Sequence, residues 1–347
     1  MEVDQTHLTP NSFHTTVRPS TGTTTTLLFF IPGNPGLIAY YHLFLSLLAK
    51  ELSMDTDESE GKDGEGLVIC ARSMGGFDVS EDEGEGEGEG RLYGLCEQIE
   101  FVERGLGDVV RGLRDDGNGR VRVRVVLMGH SVGAYVGMEI LRRWREKEQK
   151  EKDGMDVIGG IMLFPTVVDI AKSASGRKLT ALLNIPYLDS IASVVAKTLT
   201  ATLPDSVLRW VVSTVMGHPR EDAVDTTVSF LKSKRGVQQA IYMAADEMCK
   251  ITSDKWDDEI WGIAAPDTSG YKSRPPARLV FYFGRNDHWV AEQTRDDIIK
   301  ARGSKAAESG DGPKMVVCEE NVVHGFCIGH SDVMARKVAG FIRDIVG

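Results

Sequence analysis

The stretch Gly129-His130-Ser131-Val132-Gly133 constrains this chain more than any other feature, because of what flanks it. An apolar β-type run, Val123-Arg124-Val125-Val126-Leu127-Met128, ends directly before it, and a helical pattern from Ala134 to about Glu148 begins directly after it. A serine at a strand-to-helix junction with glycine two places to either side has the pattern of a nucleophile elbow. The turn is tight enough to force small residues at 129 and 133. It lifts the Ser131 hydroxyl above the sheet edge and aims it at a helix N-terminus, where developing negative charge is favoured. The competing reading is an ordinary junction at which Ser131 caps the helix.

Other strand signals place that turn in a larger pattern. Short continuous apolar runs occur at Leu27–Ile31, Leu67–Cys70, Val121–Met128, Ile158–Phe164, Leu279–Phe283 and Met315–Cys318. Runs of this kind suit strands buried on both faces. Between them stand helix-spaced apolar positions: Tyr40 to Leu52, Leu95 to Leu113 (interrupted by Gly105, Gly107 and Gly112) and Met334 to Ile345. Strands alternating with helices imply a mostly parallel sheet covered on both faces, which with the elbow predicts an α/β-hydrolase fold. The long interruption 165–275 is rich in Leu, Val and Ala in helical spacing, with breaks at Pro186, Pro204, Gly217 and Pro219. It is expected to be a helical cap over the C-terminal edge of the sheet, where open α/β sheets bind ligands. The predicted organisation is therefore core 1–164, cap 165–275 and core 276–347.

A serine hydroxyl is hardly ionised near neutral pH, so a nucleophilic Ser131 needs a base and the base needs an orienting acid. In this fold they follow the serine in the order acid, then histidine, each on a loop after a strand. His324, in Val322-Val323-His324-Gly325-Phe326, occupies the last such loop, with His288, His330 and His218 as competitors. Asp287, in Gly284-Arg285-Asn286-Asp287, follows the preceding strand, whereas Asp257, Asp258 and Asp296 fall in helices or the interruption. Asp287 could instead cap the helix predicted from Trp289 to Ile299. His130, the variable position of the elbow, is expected to turn its ring away from the serine hydroxyl. The oxyanion of a tetrahedral intermediate needs N–H donors from the residue after the nucleophile, Val132, and from the loop after the first apolar strand. That loop is Pro32-Gly33-Asn34-Pro35-Gly36. Asn34 is the expected second donor because Pro35 has no N–H.

Charge narrows the partners. The formal net charge is -11, yet segment 51–66 carries seven acids and one Lys, and 81–90 carries six acids. Together they contribute -12, leaving +1 on the rest of the chain, so the acidity belongs to two loops rather than to a binding face. No basic patch suited to a phosphate backbone is present, and nucleic acid is not an expected partner. The five cysteines are widely spaced, without a Cys-x-x-Cys pair, which argues for a reducing compartment and against a disulfide framework or zinc site. The opening MEVDQTHLTP lacks the n- and h-regions of a secretory signal, and no uncharged apolar run is long enough to suggest a transmembrane helix. No cofactor or metal is implied, and oligomeric state is not readable.

Taken together, IPGNPGLIAYY at 31–41, LMGHSVGAYVGMEIL at 127–141, LFPTVVDIAKSASGRKL at 163–179, FYFGRNDHWV at 281–290 and VHGF at 323–326 resemble the lipid droplet-associated serine hydrolase family. The resemblance runs from about residue 27 to the end, thins after 180 and is absent from the two acidic loops. It implies an α/β-hydrolase with Ser131, Asp287 and His324 as triad, esterase or sterol-ester hydrolase activity, and residence on lipid droplets. A lipid ester is thus the expected substrate. Independently, Leu179 to Met216 is rich in apolar residues and poor in charge, a composition that can lie in a lipid monolayer or pack on the core. Two rival functions are a droplet-binding protein that retains only the fold, and a soluble esterase for small acyl groups.

Overall fold

Alternation of apolar side chains along each strand decides the layering of the molecule. The structure, a computed structural model, describes residues 6–54, 64–79, 91–115, 121–147, 154–264, 275–309 and 312–347. Most of both acidic segments, the first five residues and residues 265–274 of the long interruption lie outside the described residues. In chain order the strands are β1 (His7–Thr9), β2 (Ser12–Arg18), β3 (Thr24–Ile31), β4 (Gly66–Arg72), β5 (Arg122–His130), β6 (Met155–Leu163), β7 (Arg278–Phe283) and β8 (Lys314–Val317). They form one sheet in the order β1-β2-β4-β3-β5-β6-β7-β8. Every pairing from β4 across to β8 is parallel, and β2 runs antiparallel to both β1 and β4.

Leu27, Phe29 and Ile31 of β3 face one core layer, while Leu28 and Phe30 face the other. Val125 and Leu127 alternate with Val126 and Met128 along β5 in the same way. Such strands need helices on both faces. Helix α1 (His42–Ser53) and the C-terminal α11 (Ser331–Val346) pack together on one face through Phe44, Leu48, Met334 and Val338. On the other lie α2 (Leu95–Asp115) and α3 (Val132–Glu146), contributing Ile99, Leu106, Tyr135 and Trp144. The mostly parallel, doubly covered sheet is the α/β-hydrolase arrangement expected from the sequence.

All six expected strands are present, with ends shifted by a few residues. Two more, β1 and β2, carry too weak an apolar signal to be read: β2 buries Phe13, Thr15 and Val17 and leaves His14 exposed, a half-polar edge pattern. Helix α2 is continuous through its three glycines.

Between β6 and β7 the chain forms α4 (Ala174–Leu183), α5 (Leu188–Thr202), α6 (Asp205–Val215), α7 (Glu221–Lys232) and α8 (Gly236–Lys250). Helix α5 packs on α7 and α8, and α6 meets α7 through Leu208, Val212, Val224 and Val228. Helix α8 is fastened to the core: Gln239 exchanges hydrogen bonds with both backbone groups of Tyr93, and Asp246 accepts the Leu95 N–H. Among the described residues no single helix is long and apolar enough to cross a membrane; α4 and α5 make an apolar pair bent by 92°. After β7 come α9 (Glu292–Ser309) and, beyond β8, the short α10 (Phe326–Gly329) that leads into α11.

Candidate active site

Residue 131 stands where β5 ends and α3 begins, with φ 55° and ψ -123°. A non-glycine residue at positive φ is strained and persists only where its surroundings enforce it. Here the Ser131 N–H donates to the Leu163 carbonyl at 2.9 Å and its own carbonyl accepts from Ala134 at 3.0 Å. The flanking glycines are steric requirements. A Cβ on Gly129 would fall 2.3 Å from the Gly133 carbonyl oxygen, and one on Gly133 would fall 2.3 Å from that of Ile31. Gly129 and Gly133 therefore let α3 descend onto the ends of β3 and β5.

Two loops bring the partners. His324, between β8 and α10, sets Nε2 at 3.0 Å from Ser131 Oγ. Its Nδ1 lies 2.7 Å from Oδ2 of Asp287, on the loop after β7. An ionised carboxylate only accepts, so Nδ1 carries the hydrogen and Nε2 is left to accept from the serine hydroxyl. The Asp287 side chain is 2% exposed, and its Oδ1 accepts the Trp289 N–H at 2.8 Å. Both oxygens are engaged, one holding the loop and one holding the imidazole.

Among the described residues none of the competing histidines and acids hydrogen-bonds to Ser131 Oγ. His288 Nδ1 pairs with Ser175 Oγ, and His218 lies beside Ser213. His330 begins the turn into α11. Asp257 caps the Ile260 N–H, Asp258 pairs with Arg302, and Asp296 with Arg295.

His130 has a structural task in the elbow. Its ring lies between Tyr41 Oη, 2.7 Å from Nδ1, and the His324 carbonyl, 2.9 Å from Nε2. Burial, reinforced by the nearby His324, depresses its pKa well below the usual histidine range, so the ring is neutral. A carbonyl can only accept, which makes Nε2 the donor and Nδ1 the acceptor of the Tyr41 O–H. Tyr41 Oη in turn accepts the Gly33 N–H at 3.1 Å. One continuous chain of hydrogen bonds thus ties the loop after β3 to the elbow and to the backbone of the histidine loop.

That first loop carries Asn34. Its side-chain Nδ2 donates to the Ala240 carbonyl and to Glu247 Oε1, both at 3.0 Å, pinning the loop to α8. Among the described residues no backbone carbonyl takes the Asn34 N–H. Val132 is the first residue of α3, and its N–H is one of the donors a helix start leaves without an intrahelical acceptor.

A cavity of about 300 Å³ opens beside Ser131, between these loops and the helices α4, α6 and α8. Asn34, Thr166, Leu179, Glu247, Trp289 and His324 contribute to its wall. A larger cleft of about 510 Å³ lies among Arg142, Arg145, Lys255 and Glu259, where the charges pair with one another and no nucleophile meets a base. Of the two, the smaller cavity is the one in which a serine hydroxyl meets an imidazole. Among the described residues no cluster of His, Cys, Asp or Glu is arranged to hold a metal ion.

Glu247, Thr166 and Tyr41 were not singled out as site residues by the sequence. Glu247 lies one helical turn from Met243 on the buried stripe of α8, where a carboxylate interrupts otherwise inward-facing positions. That misplacement is the signal that could have found it.

Fold and site geometry define the class: an α/β-hydrolase-fold protein with a serine, a histidine and an aspartate joined at the sheet edge. Solved structures agree on the fold. Juvenile hormone epoxide hydrolase from the silkworm Bombyx mori superposes with a TM-score of 0.53 at 13% identity, over 96% of this chain and 73% of that one. The 2-hydroxy-6-oxo-6-phenylhexa-2,4-dienoate hydrolase from Rhodococcus gives 0.51 at 12% identity, over 99% and 98%. More particularly, the family model for lipid-droplet associated hydrolase matches residues 24–327, and the chain belongs to that family. It is similar to the lipid droplet-associated hydrolase of Gallus gallus (26% identical, 92% of this chain and 85% of the relative). The relatives of that name in Homo sapiens (25%, 92% and 85%) and Drosophila melanogaster (23%, 91% and 89%) are also similar.

Proposed function

We propose that this chain hydrolyses carboxylic esters of lipids, of the sterol-ester or acylglycerol class, through an acyl-enzyme on Ser131. The observation that carries the proposal is the Ser131–His324–Asp287 hydrogen-bond chain, at 3.0 and 2.7 Å, on the wall of a cavity. As Oγ attacks the carbonyl carbon, His324 Nε2 takes its proton and Asp287 stabilises the imidazolium. The Val132 and Asn34 N–H groups receive the oxyanion. Collapse expels the alcohol, protonated by His324. The same imidazole then activates water to release the acid and restore the serine. The cap reading of the interruption is supported by Leu179, Met216 and Met248, which contribute to the cavity wall beside the serine.

Association with lipid droplets belongs to the same reading and is supported by the surface. Among the described residues, ten of the fourteen exposed large hydrophobic side chains fall between Leu182 and Val215. Val194, Trp210 and Val215 are 63%, 66% and 82% exposed. An apolar face this large marks an interaction surface, and a lipid monolayer is the partner whose chemistry it fits. It also favours a second reading, in which the chain binds and organises droplets and Ser131 is dispensable.

Turnover of acylglycerols and sterol esters by the purified protein decides between them. Ser131→Ala and His324→Ala are expected to lower kcat by roughly 10⁴-fold or more, as loss of a nucleophile or base does elsewhere. Equal hydrolysis by Ser131→Ala would refute the ester-hydrolase assignment.

A further inference from the structure

The cavity beside Ser131 holds more hydrogen-bonding capacity than ester cleavage uses. Thr166, on the loop after β6, is 3% exposed, yet its Oγ has no hydrogen-bond partner among the described residues. Asn34 Oδ1 is buried and equally unpartnered, while the Nδ2 of the same amide is engaged by Ala240 and Glu247. Glu247 is 6% exposed and receives that single N–H on Oε1; among the described residues no other hydrogen bond reaches its carboxyl group. All three residues line the cavity that contains Ser131 and His324. Tyr40, which shares the wall, is already satisfied by Thr227. Buried polar atoms without partners oppose folding, so two on one cavity wall, beside a buried carboxyl group that receives a single N–H, call for an occupant that supplies hydrogen bonds.

We propose that Glu247, Thr166 and Asn34 form a polar subsite for a free hydroxyl group of the substrate, and that the preferred ester is a partially acylated polyol such as a monoacylglycerol. The inference rests on the reading of Ser131 as nucleophile and narrows its substrate class. Burial, the largest influence on Glu247, raises its pKa to about 8; Asp246 adds to the rise and the Asn34 bond opposes it. Asp246 itself pairs with Lys250 at 2.9 Å, and the other titratable groups lining the cavity are Tyr40, Tyr41, His130, His288, His324 and Cys327. Glu247 therefore keeps its proton near neutrality and can donate to a hydroxyl oxygen, while Asn34 Oδ1 and Thr166 Oγ can accept from hydroxyl hydrogens. A sterol ester or a fully acylated glycerol brings no hydroxyl to answer these groups. The cavity, about 300 Å³, lies at the low end of the range for ligand pockets and suits a small polyol head better than a fused-ring alcohol.

The test is binding to the full-length Ser131→Ala protein, measured by calorimetry below the micelle concentration. The ligands are 2,3-dihydroxypropyl decanoate and propyl decanoate, which share a skeleton and differ only in two hydroxyls. The ratio of their Kd values reads the subsite and cancels the common apolar contribution. Adding Glu247→Leu is expected to reduce the preference for the dihydroxy ester by about tenfold, the effect of removing one buried partner. Thr166→Val should reduce it in the same direction, and Glu247→Gln, which keeps a neutral donor and acceptor, should preserve it within about threefold. Thr166→Val exchanges a hydroxyl for a methyl and decides the matter if Glu247→Leu does not fold. A ratio unchanged across all these variants overturns the subsite. Failure of the nucleophile is a separate result, seen as folded wild-type protein that a serine-directed fluorophosphonate does not label.

Discussion

Ser131 is held in a conformation it would not choose, and the neighbouring residues show why it stays there. Two glycines without room for a Cβ and the backbone bonds to Leu163 and Ala134 leave the turn no alternative. His130, which would otherwise be a spare imidazole 5.1 Å from that of His324, is kept neutral and spends both ring nitrogens on Tyr41 and the His324 backbone. Glu247 shows the opposite cost, a carboxyl group retained in a buried wall. Because burial raises its pKa to about 8, the folded chain holds a proton that the unfolded chain releases near the ordinary glutamate value of about 4.3. Wild-type stability should therefore fall as pH rises from that value to about 8, and level off above it. Glu247→Gln removes this titration. Melting temperatures measured between pH 5 and 8.5 should show the variant gaining on wild type as pH rises, and parallel curves would mean that Glu247 is ionised in the folded protein throughout.

At the scale of elements, α5 and α6 differ from the rest of the molecule in what they leave uncovered. Val194 and Trp210 look outward, whereas Leu208 and Val212 of the same helical pair are buried against α7. If the outward face meets a monolayer, replacing Val194, Trp210 and Val215 together with Asp should abolish co-flotation with triacylglycerol emulsions and leave the melting temperature within a few degrees. Retained flotation would assign droplet binding to another surface. This face was half-legible in the sequence: Leu179 to Met216 reads as apolar and charge-poor, but composition does not say which residues pack inward. Tertiary contacts made by α7 and α8 decide that, and they come from chain more than ten residues away. The strands behaved differently. Buried on both faces, β3, β5 and β7 announce themselves as continuous apolar runs. The edge hairpin of β1 and β2 does not, because β1 buries none of its residues and alternate positions of β2 are polar, with Thr15 standing among its buried ones.

For the molecule as a whole, the site is assembled from junctions far apart in the chain and close in space. Ser131 could be placed from local context alone, since strand, turn and helix adjoin it. His324 and Asp287 could be placed by their order after the strands, and the structure brings both to the serine. That Asn34 anchors to Glu247 of α8 could not be read beforehand. Their meeting spans 213 residues and depends on how the helices between β6 and β7 return over the sheet. Sheet, loops and returning helices together set Ser131 against His324, and His324 against Asp287, on the wall of one cavity, and the proposed function requires this serine to be activated. Labelling purified full-length protein with a fluorophosphonate probe, wild type beside Ser131→Ala, tests it most directly. Wild type should be labelled stoichiometrically on Ser131 and the variant not at all. Folded wild type that stays unlabelled, or a variant labelled as strongly as wild type, would contradict it.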